Sequence, residues 1–149
     1  MPSVELRESV PVAAAPETVW AVATDWPRQR EWMLGTEVRV LSGGGGLGTQ
    51  LLAFTGLGGV GFVDTMEITE FQPPRSVRVR HTGQLVSGEG GFDIVRVGNA
   101  AALFVWWERF RLPRGGTAVW PAVRPALSWG LRRSLRAFAE LCRREEGRG

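Results

Sequence analysis

The sequence predicts an α+β fold in which one antiparallel sheet curls around a long C-terminal helix. Three observations support this prediction: an alternating strand opens the chain, further strands follow between glycine-rich turns, and an amphipathic helix closes it from about Pro121 to Glu146. A sheet with one apolar face and a helix with one apolar stripe bury both when the sheet wraps around the helix. Such a wrap leaves an apolar cleft between them, where small ligands bind.

The N-terminal third is predicted to hold one strand and two short helices. Val4 to Val12 alternate between apolar and polar residues, which is typical of a half-buried strand. Pro16 favours the start of a helix, because proline fits the first helical turn. This helix is expected to break at Trp26-Pro27, since a residue before proline avoids the α region. A second short helix, Arg28 to Met33, is expected to end at Gly35.

The middle of the chain is predicted to form six further strands separated by glycine or proline turns. Their apolar and polar residues alternate, and Pro113 to Gly116 turns the chain back after the last of them. Thr117 to Trp120 can extend that hairpin. The predicted strands are Glu37–Leu41, Thr49–Thr55, Phe62–Phe71, Arg75–Thr82, Leu85–Val97 and Ala100–Leu112.

The closing helix has an apolar stripe and an arginine-rich opposite face. Cys142 lies on the stripe, so we expect it to be a small buried hydrophobic residue rather than a nucleophile. Trp129 falls on the polar side. It is expected either to stack with Arg132 or Arg133 or to contact a partner. The stripe comprises Leu127, Leu131, Leu135, Phe138, Leu141 and Cys142.

Composition narrows the possible functions. The 149 residues fit one domain, residues 1–149, and 44% hydrophobic with 22% charged residues is ordinary for a globular protein. There is no apolar run long enough for a membrane span and no signal-peptide core, so a cytoplasmic protein is expected. The 18 basic residues are all arginine, and no aromatic-interleaved basic motif accompanies them, so we expect no nucleic-acid partner. Oligomeric state is left open.

Several segments resemble one known superfamily. Pro16 to Trp20, Asp25-Trp26-Pro27 and Glu31-Trp32 resemble the opening helices of START-like domains, and Glu67 to Val77 is similar to a strand–turn–strand signature of the same group. With the closing helix, the resemblance to this SRPBCC superfamily of polyketide cyclases/dehydrases and lipid-transport proteins covers nearly the whole chain. It implies the helix-grip fold, with a hydrophobic cavity between sheet and last helix. Its members include carriers, cyclases and ligand sensors.

No cofactor or metal is expected. Gly56 to Gly61 match the G-x-G-x-x-G pattern, but a dinucleotide site needs a helix after these glycines, and Phe62 to Phe71 have strand character. The segment is therefore interpreted as a hairpin. One histidine, His81, and one cysteine, Cys142, do not make a zinc-binding spacing, and there is no G-x-S-x-G nucleophile motif.

Candidate catalytic residues are ionisable groups on apolar strand faces, because burial perturbs their pKa values. They are His81, which follows two inward valines, Asp64, and Glu108, which has a tryptophan and a phenylalanine on its face. Glu8 occupies a similar position. The alternative for each is a bulge or a solvated strand end. His81 is preferred because histidine changes charge near neutral pH, and a nearby Asp64 or Glu108 would raise its pKa.

The sequence and the resemblance together favour a domain that binds a hydrophobic or aromatic small molecule, lipid- or polyketide-like, between sheet and last helix. The alternative is a polyketide-type aromatase/cyclase or dehydratase that uses His81, Asp64 or Glu108. A third possibility is an interaction module that uses the arginine-rich helix face. The expected ligand-binding residues are Trp32, Met33, Met66, His81, Phe92, Trp106, Leu131, Leu135 and Phe138.

Overall fold

A single antiparallel sheet in the strand order β1-β7-β6-β5-β4-β3-β2 forms the body of the molecule. The computed structural model describes residues 3–57, 60–83 and 86–148. The first strand pairs with the last, so β1 forms one edge of the sheet and β2 the other. The strands are β1 Ser3–Val12, β2 Thr36–Ser42, β3 Gln50–Leu57, β4 Val60–Gln72, β5 Ser76–His81, β6 Gly88–Gly98 and β7 Ala101–Arg111.

Helices cover the concave face of this sheet. They are α1 Pro16–Ala23, a 3-10 helix Trp26–Glu31 and the long α2 Gly116–Arg148. The order of elements and the antiparallel sheet closed by a terminal helix confirm the predicted α+β helix-grip fold.

Two helix boundaries differ from the prediction. Thr117–Trp120 belong to α2 and do not extend the last hairpin, because the turn ends at Gly115, whose φ of +79° suits glycine, and the helix begins at once. Pro121 therefore lies inside α2. It removes only the bond to the exposed Thr117 carbonyl, which water can satisfy. The first helix ends at Ala23, before Trp26-Pro27 as predicted, but the second helix spans Trp26–Glu31 rather than Arg28–Met33, since proline fits a first turn.

The glycine-rich segment after β3 joins two antiparallel strands, as predicted. Gly56 pairs with Gly61 and Leu57 with Val60, and β4 continues from there as a strand. Gly58 and Gly59 lie outside the described residues, as does Leu85, where β6 was predicted to begin.

The core lies between the C-terminal half of α2 and the concave face near β1 and β7. Leu135 and Phe138 of α2 are fully buried, and the Phe138 ring lies 4.2 Å from that of Phe104 on β7. α1 contributes the buried Val19 and Val22. Cys142 is also fully buried, which confirms its predicted place in the core.

The convex face carries charges that alternate in sign from strand to strand. Arg109 on β7 pairs with Glu5 at 3.5 Å and with Glu89 at 3.1 Å, and Arg80 on β5 pairs with Glu67 at 3.6 Å. Arg80 also lies directly opposite Glu89 in the register. Each exposed pair contributes at most about 1 kcal/mol. These ion pairs on the convex face show that Arg80 of β5 faces solvent, as the alternation of that strand predicted.

Two polar-face features of α2 are explained by local pairing. Trp129 is 53% exposed, and the Arg133 guanidinium lies 5.8 Å from its ring centre, which confirms the predicted stacking. Glu8 accepts a hydrogen bond of 2.9 Å from Arg132, so this carboxylate joins the edge of the sheet to α2 and does not line the cavity. Within the described part of the chain, no helix is long and apolar enough to cross a membrane.

Candidate functional site

A cavity of about 260 Å³ opens between the concave face of the sheet, the 3-10 helix and the first half of α2. Residues of all strands from β2 to β7 line it, most of them apolar or aromatic. α2 contributes Leu127, which is 43% exposed, and β4 contributes Phe62 at the same opening. Thr36 and Thr55, two of the polar lining residues, bond to each other at 3.2 Å.

Five of the nine expected ligand-binding residues line this cavity: Met33, Met66, His81, Phe92 and Trp106.

The other four, Trp32, Leu131, Leu135 and Phe138, are buried in the core beside the cavity. The Trp32 ring packs 4.7 Å from that of Phe138, and both fill the space where the C-terminal half of α2 lies on the sheet. The cavity therefore meets α2 about one turn earlier than predicted, at Leu127.

Three ionisable side chains converge in the cavity wall. His81 ends β5, and the inward positions before it are the buried valines that fixed its predicted face. Met66 of β4 pairs with His81, which places Asp64 diagonally beside the ring. Glu108 of β7 lies opposite Gly90 of β6. All three predicted catalytic candidates thus occupy the concave face and line one cavity.

His81 lies between the two carboxylates. Its Nδ1 is 3.0 Å from Asp64 Oδ1 and 2.9 Å from Oδ2, and its Nε2 is 3.0 Å from Glu108 Oε2. The side chains are 3%, 12% and 16% exposed for His81, Asp64 and Glu108. Two ionised carboxylates can both accept hydrogen bonds from this ring only when both nitrogens carry a proton. The geometry therefore favours an imidazolium with two N–H donors.

Burial and charge shift the pKa values of this cluster. Burial by itself lowers the pKa of His81, but the hydrogen bonds and negative charges of Asp64 and Glu108 outweigh it and raise the pKa from 6.5 to about 10. Burial raises the pKa of Glu108 above its usual range, and the charge on Asp64 acts in the same direction. The His81 imidazolium and the Trp106 side chain oppose this shift without cancelling it. The cluster thus holds protons to a higher pH than free side chains do.

Gly90 permits the contact between Glu108 and His81. The strand β6 separates β5 from β7, and Gly90 is the β6 residue between Val79 and Glu108. A Cβ at position 90 would collide with the Glu108 carboxylate, so the missing side chain leaves the space through which Glu108 reaches His81.

Gly90, Leu127, Trp26 and Phe110 were not among the predicted site residues. A signal for Gly90 exists in the run Gly88-Glu89-Gly90-Gly91, because glycine inside a strand marks a close approach of neighbouring groups. Phe110 alternates onto the same strand face as Trp106 and Glu108, so this pattern also indicated it, whereas Trp26 carries no such signal.

The cluster is not arranged as a metal site. Asp64 and Glu108 contact opposite nitrogens of the His81 ring, so these three side chains cannot direct their donor atoms to one ion. Over residues 3–57, 60–83 and 86–148, no group of three or more histidine, cysteine or acidic residues is placed to hold a metal.

Comparison with known proteins agrees with this architecture. The structure is similar to the Zhui aromatase/cyclase from Streptomyces sp. R1128, with 17% identity, a TM-score of 0.80 and coverage of 96% of this chain and 95% of that one. It is also similar to norcoclaurine synthase from Thalictrum flavum in complex with dopamine and hydroxybenzaldehyde (16% identity, TM-score 0.68, 94% and 86% covered). A START superfamily protein from Mycobacterium smegmatis matches with 16% identity, a TM-score of 0.67 and 97% of each chain covered. These likenesses show the fold.

No curated protein sequence is significantly similar to the chain. The model of the family described as polyketide cyclase / dehydrase and lipid transport matches residues 3–143, which include every element of the cavity wall. The chain therefore belongs to the polyketide cyclase/dehydrase and lipid-transport family.

Proposed function

We propose that this protein binds a compact, uncharged and mainly apolar molecule in the cavity and performs acid–base chemistry on a carbonyl or hydroxyl group of it. The observation that supports this proposal best is the Asp64–His81–Glu108 cluster in the wall of an otherwise apolar cavity. Enzymes shift pKa values in this way where a proton must move near neutral pH.

A purely structural role explains the cluster poorly. Burying charged groups costs several kcal/mol per ion before their mutual attraction is counted, and apolar residues of similar volume are often equally or more stabilising. The three groups link β4, β5 and β7, which are already joined to β6 or to each other by regular strand pairing. The cluster therefore adds little that the sheet lacks, which favours a chemical role.

The cavity indicates the class of ligand. Its volume of about 260 Å³ lies near the lower end of ordinary ligand pockets, so a compact molecule fits. Phe92, Trp106 and Phe110 present aromatic surfaces, which suit a flat or aromatic molecule. No arginine lines the cavity in the described part of the chain, and the His81 imidazolium is already paired with two carboxylates, so the lining does not favour an anionic ligand.

The chemistry can be written as a dehydration. A carboxylate of the cluster takes the proton from the carbon next to the ligand's carbonyl, and the electron pair of that C–H bond forms an enolate. The enolate expels the hydroxyl group of the next carbon, which receives the same proton and leaves as water, while a C=C bond forms. In a ring closure the enolate carbon attacks a second carbonyl, whose oxygen takes the proton. Both sequences regenerate the carboxylate.

The description of the family and the likeness to an aromatase/cyclase support such a reaction class. Binding without turnover is the second candidate. It is favoured by the largely apolar lining and by the lipid-transport part of the family description.

Exchange of the α-protons of 2-tetralone in D2O, followed by proton NMR, tests the proposal without knowledge of the natural substrate. We expect the wild-type protein to accelerate exchange, and the double variant Asp64→Asn/Glu108→Gln to lose about 100-fold or more of this rate. Glu89→Gln makes the same chemical change on the convex face and serves as the control. Binding without exchange, detected by quenching of tryptophan fluorescence, would favour the carrier. The absence of both binding and exchange would refute the proposal.

A further inference from the structure

Building on the proposed function, we propose that Glu108 is the catalytic residue that exchanges a proton with the ligand. His81 is then a positioning residue, held as an imidazolium between Asp64 and Glu108 across the space at Gly90. This assignment differs from the sequence-based preference for His81 as the reacting group.

The contacts of His81 argue against a direct role. Both ring nitrogens already contact a carboxylate, at 3.0 Å for Nδ1 with Asp64 and 3.0 Å for Nε2 with Glu108. To take a proton from a ligand, the ring would first have to lose one proton and break one of these charged hydrogen bonds. Hydrogen bonds to charged groups are the stronger ones, so this step is costly. The ring is also the least exposed of the three side chains.

The contacts of the two carboxylates differ from each other. Asp64 approaches Nδ1 with both oxygens, at 3.0 Å and 2.9 Å. Glu108 approaches Nε2 with Oε2 alone, which leaves Oε1 off the imidazole. Glu108 also lies between the inward-facing rings of Trp106 and Phe110 on β7, both of which line the cavity. Glu108 is therefore the carboxylate that can contact a ligand while it remains bound to His81.

The charges around Glu108 suit a group that both takes and gives a proton. Among the described residues, Asp64 and His81 are the other ionisable groups that line the cavity. Burial and the Asp64 charge favour the protonated acid, whereas the His81 imidazolium favours the carboxylate. Because these influences oppose each other, both the protonated and the ionised form of Glu108 stay accessible, which general acid–base catalysis requires.

Gly90 is a second positioning residue. A methyl group at this position would meet the Glu108 carboxylate, which is the far end of a flexible side chain and can move away. Gly90→Ala should therefore keep the sheet but separate Glu108 from His81. Gly98→Ala, near the end of the same strand, is the matched control, because its Cβ would meet only Ala101 at an ordinary 3.6 Å.

Two measurements test the assignment. The chain has a single histidine, so every ¹⁵N-histidine NMR signal belongs to His81. We expect the wild-type ring to titrate near 10, and the ring in Glu108→Gln and in Gly90→Ala to titrate more than about one pH unit lower. Gly98→Ala should titrate like the wild type. A wild-type ring that titrates near its ordinary 6.5, or a Gly90→Ala ring unchanged from wild type, would refute the placement of His81 as an imidazolium between Asp64 and Glu108.

The second measurement is the pH dependence of 2-tetralone exchange. We expect the pH–rate profile of the wild type to have an ascending limb at pH values well below the pH at which His81 titrates, because the Glu108 carboxylate is the base. Glu108→Gln should lose about 100-fold or more. His81→Gln should retain activity with its limb moved to higher pH, since the cation that favours the carboxylate is gone. A wild-type limb that coincides with the His81 titration, or a fully active Glu108→Gln variant, would overturn the assignment.

The two proposals fail in different ways. A wild-type protein that does not accelerate exchange, but whose His81 titrates near 10, contradicts the proposed function and still supports the placement of His81 between Asp64 and Glu108. An active protein whose rate is independent of Glu108 retains the function and refutes this inference.

Discussion

The stability of the protein should fall as the pH rises from about 7 to about 8.5, and His81 should be the cause. The folded protein holds the His81 proton up to about pH 10, whereas the unfolded chain releases it near 6.5. Between these values the folded state binds one proton more than the unfolded state. The free energy of unfolding therefore decreases by about 1.4 kcal/mol per pH unit, or about 2 kcal/mol over this range.

The composition makes this a clean experiment. The chain has no lysine and no tyrosine, so His81 is the only side chain that ordinarily titrates between the carboxylates and Cys142. Burial raises the pKa of Cys142 to about 12, whereas the unfolded thiol is half ionised near its ordinary pKa of about 8.5, so up to this pH it adds less than about 0.5 kcal/mol with the same sign. The raised pKa of Glu108 acts on stability with the same sign as that of His81.

Urea unfolding followed by the fluorescence of the seven tryptophans, at a series of pH values, provides the assay. His81→Gln is the control variant, and its stability should fall less steeply with pH over this range, because only Glu108 and the unfolded Cys142 thiol then contribute. A wild-type slope equal to that of His81→Gln would refute the reasoning, because His81 would then release its proton at the same pH in both states.

Three further predictions concern the core, the thiol and the helix contacts. Phe138→Ala should cost about 3–5 kcal/mol in urea unfolding, whereas Leu127→Ala should cost less than about 1 kcal/mol yet weaken quenching by 2-tetralone; equal losses would contradict the assignment of core and cavity. Cys142 should react with Ellman's reagent far more slowly in the native protein than in urea, and equal rates would show that it is accessible. Glu146→Gln should lower the melting temperature more than the exposed Glu140→Gln, because the Glu146 carboxylate accepts two hydrogen bonds at the start of α1; equal melting temperatures would contradict this.

The fold could be predicted because its signals are local. Alternation in β5 fixed the inward face of His81, since a slip by one residue would have buried Arg78 and Arg80. Alternation within β4 and within β7 likewise predicted that Asp64 and Glu108 lie on the inward faces of these strands. Proline is the less reliable signal, because the pattern predicts a last helix that begins at about Pro121, whereas this residue lies inside α2.

The details of the site depend on contacts between strands that are distant in sequence. That Asp64 and Glu108 reach the same ring follows from the register of four strands, and no periodicity within one strand reports this. The position of the cavity along α2 depends on how the Trp32 and Phe138 rings fill the core, which decides that Leu127 and not Leu131 lines it. The roles of these residues in binding or catalysis stay predictions.

The space at Gly90 has a consequence for tracing this chemistry through evolution. A homologue with alanine at this position would keep Asp64, His81 and Glu108, so a search for the three reactive residues would count it as equivalent. Its Glu108 could not take the same position, because the new methyl group would occupy the place of the carboxylate. A single nucleotide change converts a glycine codon into an alanine codon, so the charged cluster can be lost or restored without any change to its ionisable residues. Sequence searches for this site should therefore include a residue whose contribution is the absence of a side chain.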